Sequence, residues 1–103
     1  MKYKILRTDK AEQQLREIIF YIADDSGDVG IALRYLDKIE TAINRLKEFP
    51  ESGCIPRYFI LKKQGYRVIT VERHLVFYKI NEVNQTVIIY AIVDGRREYR
   101  NLL

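Results

Sequence analysis

The apolar positions of this chain change period near its middle. Lys2 to Arg7 alternate loosely between polar and apolar, as a strand does. Thr8 and Asp9 then offer side-chain oxygens suited to a helix start, and Glu12 follows Asp9 by three residues, as in a capping box. Beyond them Ala11, Leu15, Ile18, Ile19 and Ile22 recur at helical spacing. Asp24-Asp25-Ser26-Gly27-Asp28 interrupts that helix, and Ser26 or Asp28 can cap the next. The second helix carries Ala32, Tyr35, Leu36, Ile39, Ile43 and Leu46 on one stripe and stops before Pro50, because the residue before a proline is pushed out of the helical region. A short polar turn between two such helices predicts an antiparallel hairpin.

Past the loop Pro50-Glu51-Ser52-Gly53-Cys54-Ile55-Pro56 the pattern becomes strand-like. Arg57 to Leu61 reads as a possible strand, and Tyr66 to Glu72 as a better one, rich in β-branched residues. Arg73-His74 reads as a tight connection to a strand over Leu75 to Ile80. Asn81 to Gln85 is a turn, Thr86 to Val93 is the most apolar strand, and Asp94-Gly95 ends the run. The tail from Arg96 to Leu103 is short and basic.

The order β-α-α-β-β-β predicts a single α+β domain over residues 1–103. In it a helix hairpin packs on one face of a twisted antiparallel sheet. One hairpin covers one face. Yet Leu75-Val76-Phe77-Tyr78 and Val87-Ile88-Ile89-Tyr90-Ala91-Ile92-Val93 are apolar on both. Either the tail or another chain lies over the second face, or the strands are central and rings such as Tyr78 and Tyr90 sit half-exposed. Phe20 points away from the apolar stripe of its helix and is either a stray exposed ring or a partner contact.

Charge sharpens this picture. The formal net charge is +4. Residues 1–50 balance nine Lys/Arg against nine Asp/Glu, whereas residues 51–103 set nine against five. An excess confined to the second half favours an anionic partner there, whether nucleic acid, a ribosome or an acidic protein segment, against the simpler reading of a solvated basic surface. A single cysteine, Cys54, excludes an internal disulfide and reads as a small loop residue. Cys and His clusters that could hold zinc are absent, so no metal or cofactor is expected. No apolar stretch is long enough to cross a membrane, and Met1 to Leu6 turns polar too quickly for a secretory signal, so a cytoplasmic location is expected.

Few residues suggest chemistry. Arg67 and Arg73 share a strand face, but six residues separate them, roughly 20 Å of extended chain, so they cannot clamp one phosphate. Arg96-Arg97-Glu98-Tyr99-Arg100 is the densest cationic feature. Its guanidinium forks and tyrosine ring suit RNA, DNA or an acidic protein surface. RNA cleavage through the 2′-hydroxyl needs a base, an acid and a cation. The candidates are His74, Tyr99, Glu72 and the lysines, and no two of them read as an acid–base couple. His74, in a turn beside Arg73, reads as a solvent-exposed residue whose protonated form its neighbour disfavours.

Taken together, several stretches resemble the RelE/ParE superfamily of toxins: Tyr3-Lys4-Ile5, the helix pair from Ala11 to Leu46, Phe49-Pro50-Glu51-Ser52-Gly53, Tyr66-Arg67-Val68, Leu75 to Ile80, and Val87-Ile88-Ile89-Tyr90 followed by Gly95-Arg96-Arg97. The resemblance spans nearly the whole chain. It implies a growth-inhibiting toxin of a type II toxin–antitoxin system of the kind that stabilises plasmids. It also implies an antitoxin whose flexible segment wraps the sheet and the basic surface in a hetero-oligomer, with Phe20, Tyr78 and Tyr90 as candidate contacts. Members of the superfamily differ in target. RelE-like toxins cut messenger RNA on the ribosome, and ParE-like toxins poison DNA gyrase. RelE-like nucleases carry an arginine just before the Val-Tyr of the middle strand, and here that position is Leu75. Arg97 matches an arginine they use near the C-terminus, while Tyr99 is the one tyrosine near the place of their closing tyrosine. A nuclease would therefore draw on Arg97, His74, Arg73, Arg67 and Tyr99. The ending Gly95-Arg96-Arg97-Glu98 resembles ParE-type sequences more closely. The expected target contacts are then Arg67, Arg73, His74, Arg96, Arg97, Tyr99 and Arg100. A toxin fold retained only to bind an antitoxin is the third reading.

Overall fold

The computed structural model describes residues 2–97. Strand β1 (Lys4–Arg7) leads into helices α1 (Asp9–Ser26) and α2 (Val29–Asn44). A short helix α3 (Phe59–Lys63) precedes strands β2 (Arg67–Val71), β3 (His74–Asn81) and β4 (Thr86–Asp94). The helix ends follow local chemistry. Thr8, rather than Asp9, caps α1, its hydroxyl accepting from the Ala11 amide at 3.1 Å. Glu12 therefore falls one residue late for a capping box and instead meets Arg7 at 3.3 Å. Gly27 closes α1 in the left-handed region, where a side chain would be strained. Asp28 Oδ1 accepts from the Gly30 amide at 2.8 Å and opens α2.

The helix hairpin packs on one face of a four-stranded sheet of order β1-β4-β3-β2. Ala11 and Leu15 of α1 and Ile39 and Ile43 of α2 meet Val76, Tyr78, Val87, Ile89 and Ile92 in the main core. Strands β2, β3 and β4 are antiparallel, as expected, but β1 pairs with β4 in parallel, so the sheet is mixed. That pairing makes β4 an interior strand between β1 and β3, which explains why it is apolar on both sides.

The second face is partly covered from within the chain, which corrects one expectation. Arg57 to Leu61 do not form a strand. Only Cys54 bridges to Val68, and Phe59–Lys63 coil into α3. The apolar run Tyr58-Phe59-Ile60-Leu61 is too short for periodicity to separate strand from helix. The turn of helix drops Leu61 onto Phe77, Ala91 and Val93 to build a second, smaller core. A bulge then breaks the alternation of β4: Phe77 pairs with Ala91 but Tyr78 pairs with Ile89, leaving Tyr90 as the extra residue. Tyr90 stays half-buried on the second face, edge-on to Tyr66 at 5.6 Å, with the Lys79 ammonium 5.2 Å from its ring. Tyr78 is the opposite case and corrects its reading as a surface contact. It is fully buried on the helix side, its hydroxyl donating to the Pro50 carbonyl at 2.7 Å and accepting from the Gly53 amide at 3.0 Å.

Candidate partner-binding site

The β2–β3 hairpin and the end of β4 form one rim of the molecule. Glu72 and Arg73 make the tight connection, with Glu72 in the left-handed region at φ 53° and its carboxylate held by Lys38 at 2.8 Å. The Gly95 amide donates to the Arg73 carbonyl at 2.8 Å, which ties the turn after β4 to the hairpin. Arg73, Arg96 and Arg97 are thereby brought to one edge, all three exposed. Asp94 is half-buried beneath them. Arg96 grips it with two side-chain hydrogen bonds at 3.1 and 2.9 Å and a backbone one at 2.9 Å. This grip holds the Asp94 carboxyl well below the usual carboxylate range and raises the Arg96 guanidinium.

His74 is not the exposed turn residue that its neighbours in sequence suggest. It is the first residue of β3, only 4 % exposed, paired across the sheet with Asp94 and facing the helices. Its Nδ1 lies 2.6 Å from the Tyr35 hydroxyl, which is also 2.9 Å from the Val71 carbonyl. One phenol proton cannot serve both acceptors. When it goes to the carbonyl, the imidazole must carry its own proton on Nδ1 and leave Nε2 as the acceptor. Burial pushes the imidazole pKa down, Asp94 opposes that shift, and Arg73 adds to it. A neutral, oriented histidine results. Burial likewise raises the Tyr35 phenol, so neither partner is poised to exchange a proton near neutral pH.

Between this rim and α1 lies a cleft of about 570 Å³. Ile18, Ile22 and Ile92 line it with apolar surface, and Arg73, Arg97 and Glu17 stand among its polar groups. Gln14 Oε1 accepts the Ile92 amide at 2.9 Å and fixes α1 against the end of β4.

Of the residues singled out from sequence, Arg73, His74, Arg96 and Arg97 come together here. Arg67 does not. It lies at the far end of β2, where its Nη1 donates to the carbonyls of Glu51 and Gly53 at 3.2 and 3.0 Å and braces a loop. Phe20 is 64 % exposed and lines a separate shallow groove with Ile19 and Leu36. Tyr99 and Arg100 lie outside the described residues. Sequence reasoning missed Tyr35 and Asp94. Tyr35 was absorbed into the apolar stripe of α2, although a tyrosine there signals a hydroxyl in need of a partner. Asp94 read only as a strand end.

Two helices packed on a four-stranded mixed sheet match the fold of RelE/ParE-like toxins. Residues 5–99 match the family described as ParE toxin of the type II toxin–antitoxin system parDE. The chain belongs to that family. Toxin ParE3 of Caulobacter vibrioides is 29 % identical over 93 residues, covering 90 % of this chain and 87 % of that protein. Two solved structures share the fold. A chromosomal ParDE toxin–antitoxin system from P. aeruginosa matches with a TM-score of 0.73 and 18 % identity, over 90 % of this chain and 96 % of its own. A RelBE2 toxin–antitoxin complex from Mycobacterium tuberculosis matches with a TM-score of 0.62 and 19 % identity, over 91 % and 99 %.

Proposed function

We propose that this type II toxin inhibits growth by binding DNA gyrase, in the manner its ParE resemblance implies, rather than by cleaving RNA. The observation that carries this reading is the placement of His74. A nuclease needs an acid and a base reaching one phosphate beside a cation. His74 borders the cleft but is 4 % exposed, with its Nδ1 taken by Tyr35, while Arg67 is at the opposite end bracing a loop. The position of the nuclease arginine, Leu75, pairs with Val93 on the second face, where the neighbours are apolar. The arginines of the rim are left as a docking edge. Arg73, Arg96 and Arg97 are its contacts on this reading.

A cognate antitoxin fits the rest of the surface. The part of the second face beyond α3 exposes a groove lined by Tyr90, Ile88 and Lys79, and Phe20 stands out on α1. Half-buried apolar groups of this kind favour a covering segment. Tyr90 and Phe20 are the antitoxin contacts on this reading.

Purified toxin is expected to inhibit supercoiling by gyrase or to trap cleaved DNA complexes. Gyrase left untouched, with messenger RNA cut only when ribosomes are present and the cutting lost in Arg97→Ala and His74→Ala, would establish the ribosomal nuclease instead. Absence of any growth defect on induction would leave an antitoxin-binding homologue.

A further inference from the structure

We infer that the cleft between α1 and the rim seats an acidic–aliphatic segment of a protein, so that the rim reads the protein part of its target and not nucleic acid. This rests on the reading above that the arginine rim docks the target, and adds the chemistry it recognises.

The case comes from how the charges are spent. Arg96 is committed to Asp94. Among the described residues, Arg73 and Arg97 have no carboxylate partner, and both line the cleft. Two guanidinium groups suit one or two carboxylates, which they can grip in bidentate fashion. The surface between them and the helix is aliphatic, from Ile18, Ile22 and Ile92, which fits an apolar side chain next to the carboxylate. The volume, about 570 Å³, is that of a ligand-sized cleft and can take a few residues of a segment.

Nucleic acid fits less well. A strand carries a phosphate at every nucleotide, and its affinity comes from a run of cations along its path. Here the cations form no such run, because Arg96 is paired with Asp94 and Glu17 interrupts the lining. A peptide can place its few carboxylates at the arginines and turn aliphatic groups toward the helix. Tyr21, 61 % exposed at the same cleft, could stack a base, so an oligonucleotide belongs in the test.

The test is titration of the isotopically labelled toxin, followed by amide NMR, with two probes. One is a short synthetic peptide of alternating glutamate and leucine, and the other a single-stranded DNA oligonucleotide. Gyrase inhibition is measured on the same samples. The peptide is expected to shift the amides of Ile18, Ile22, Arg73 and Arg97 saturably. Its affinity should fall at least tenfold in Arg73→Glu and in Arg97→Glu. Both side chains are exposed, so an unchanged melting temperature certifies that the variants fold. Tighter binding of the oligonucleotide at these amides overturns the inference, as does peptide binding that moves Lys79 and Tyr90 instead, or no peptide binding at all. In each of those cases persisting gyrase inhibition leaves the proposed function standing, while loss of gyrase inhibition by the unmodified toxin removes that function itself.

Discussion

The two ends of the sheet use the same residue types for opposite purposes. At the Gly53 end, Arg67 and Tyr78 spend their polar atoms on backbone groups of the loop from Pro50 to Gly53. At the His74 end, Tyr35 divides its hydroxyl between a histidine and the Val71 carbonyl, Arg96 answers a carboxylate, and Arg73 and Arg97 face solvent without an ion-pair partner among the described residues. A buried polar group must be satisfied or it costs free energy, so one end is held rigidly by interactions that leave nothing for a partner. The other end keeps its charges available because water, not protein, solvates them. Arginine in this chain is therefore scaffolding or recognition according to what its guanidinium meets, and residue type alone does not say which.

The contrast can be broken most forcefully at the Gly53 end. Tyr78→Ala removes a fully buried ring and both hydrogen bonds of its hydroxyl, and it should cost about 3–5 kcal/mol of stability in urea unfolding. A loss below about 1 kcal/mol would mean that this end is not the rigid one. Next comes Gly53→Ala. A methyl group there would press into the Tyr78 ring and lie 2.9 Å from the Val68 carbonyl, and neither neighbour can retreat easily. About 1–3 kcal/mol of destabilisation is expected from such overpacking. A neutral result would show that the loop shifts freely.

A smaller effect is expected at the other end, and it appears as a pH dependence. The His74 pKa is lowered in the folded state. Above pH ~6.5 both folded and unfolded histidine are neutral, and nothing is lost. As the pH falls below that value the unfolded state takes up a proton that the folded state refuses, so stability drops until the folded pKa is reached. Melting temperature should thus decline from pH 7 toward pH 5. His74→Gln should remove that part of the decline, while the loss tied to the depressed Asp94 carboxyl persists at lower pH. An identical slope in the variant would show that His74 does not titrate as its burial dictates. The smallest stability change belongs to Arg73→Ala and Arg97→Ala, each within about 0.5 kcal/mol of wild type because they are exposed and have no ion-pair partner among the described residues. The same variants should weaken gyrase inhibition at least tenfold. Large stability losses with intact inhibition would reverse the assignment of the two ends.

Much of this was legible in the chain itself. Helical and strand periodicity, the break at Gly27 and the stop before Pro50 together placed both helices and the three later strands, because each depends on residues near one another in sequence. Tertiary packing alone decided the rest. Whether β1 would lie beside β2 or β4 depends on where the hairpin returns the chain, and the parallel pairing with β4 is written in no local pattern. Tyr78 and Tyr90 are both aromatic strand residues. The bulge opposite Phe77 and Tyr78, together with the loop at Gly53, buried the first and left the second half-exposed. His74 became a buried neutral partner of Tyr35, 39 positions away, because the face a strand residue occupies is set by its register with its neighbours, and that register exists only once the sheet has formed.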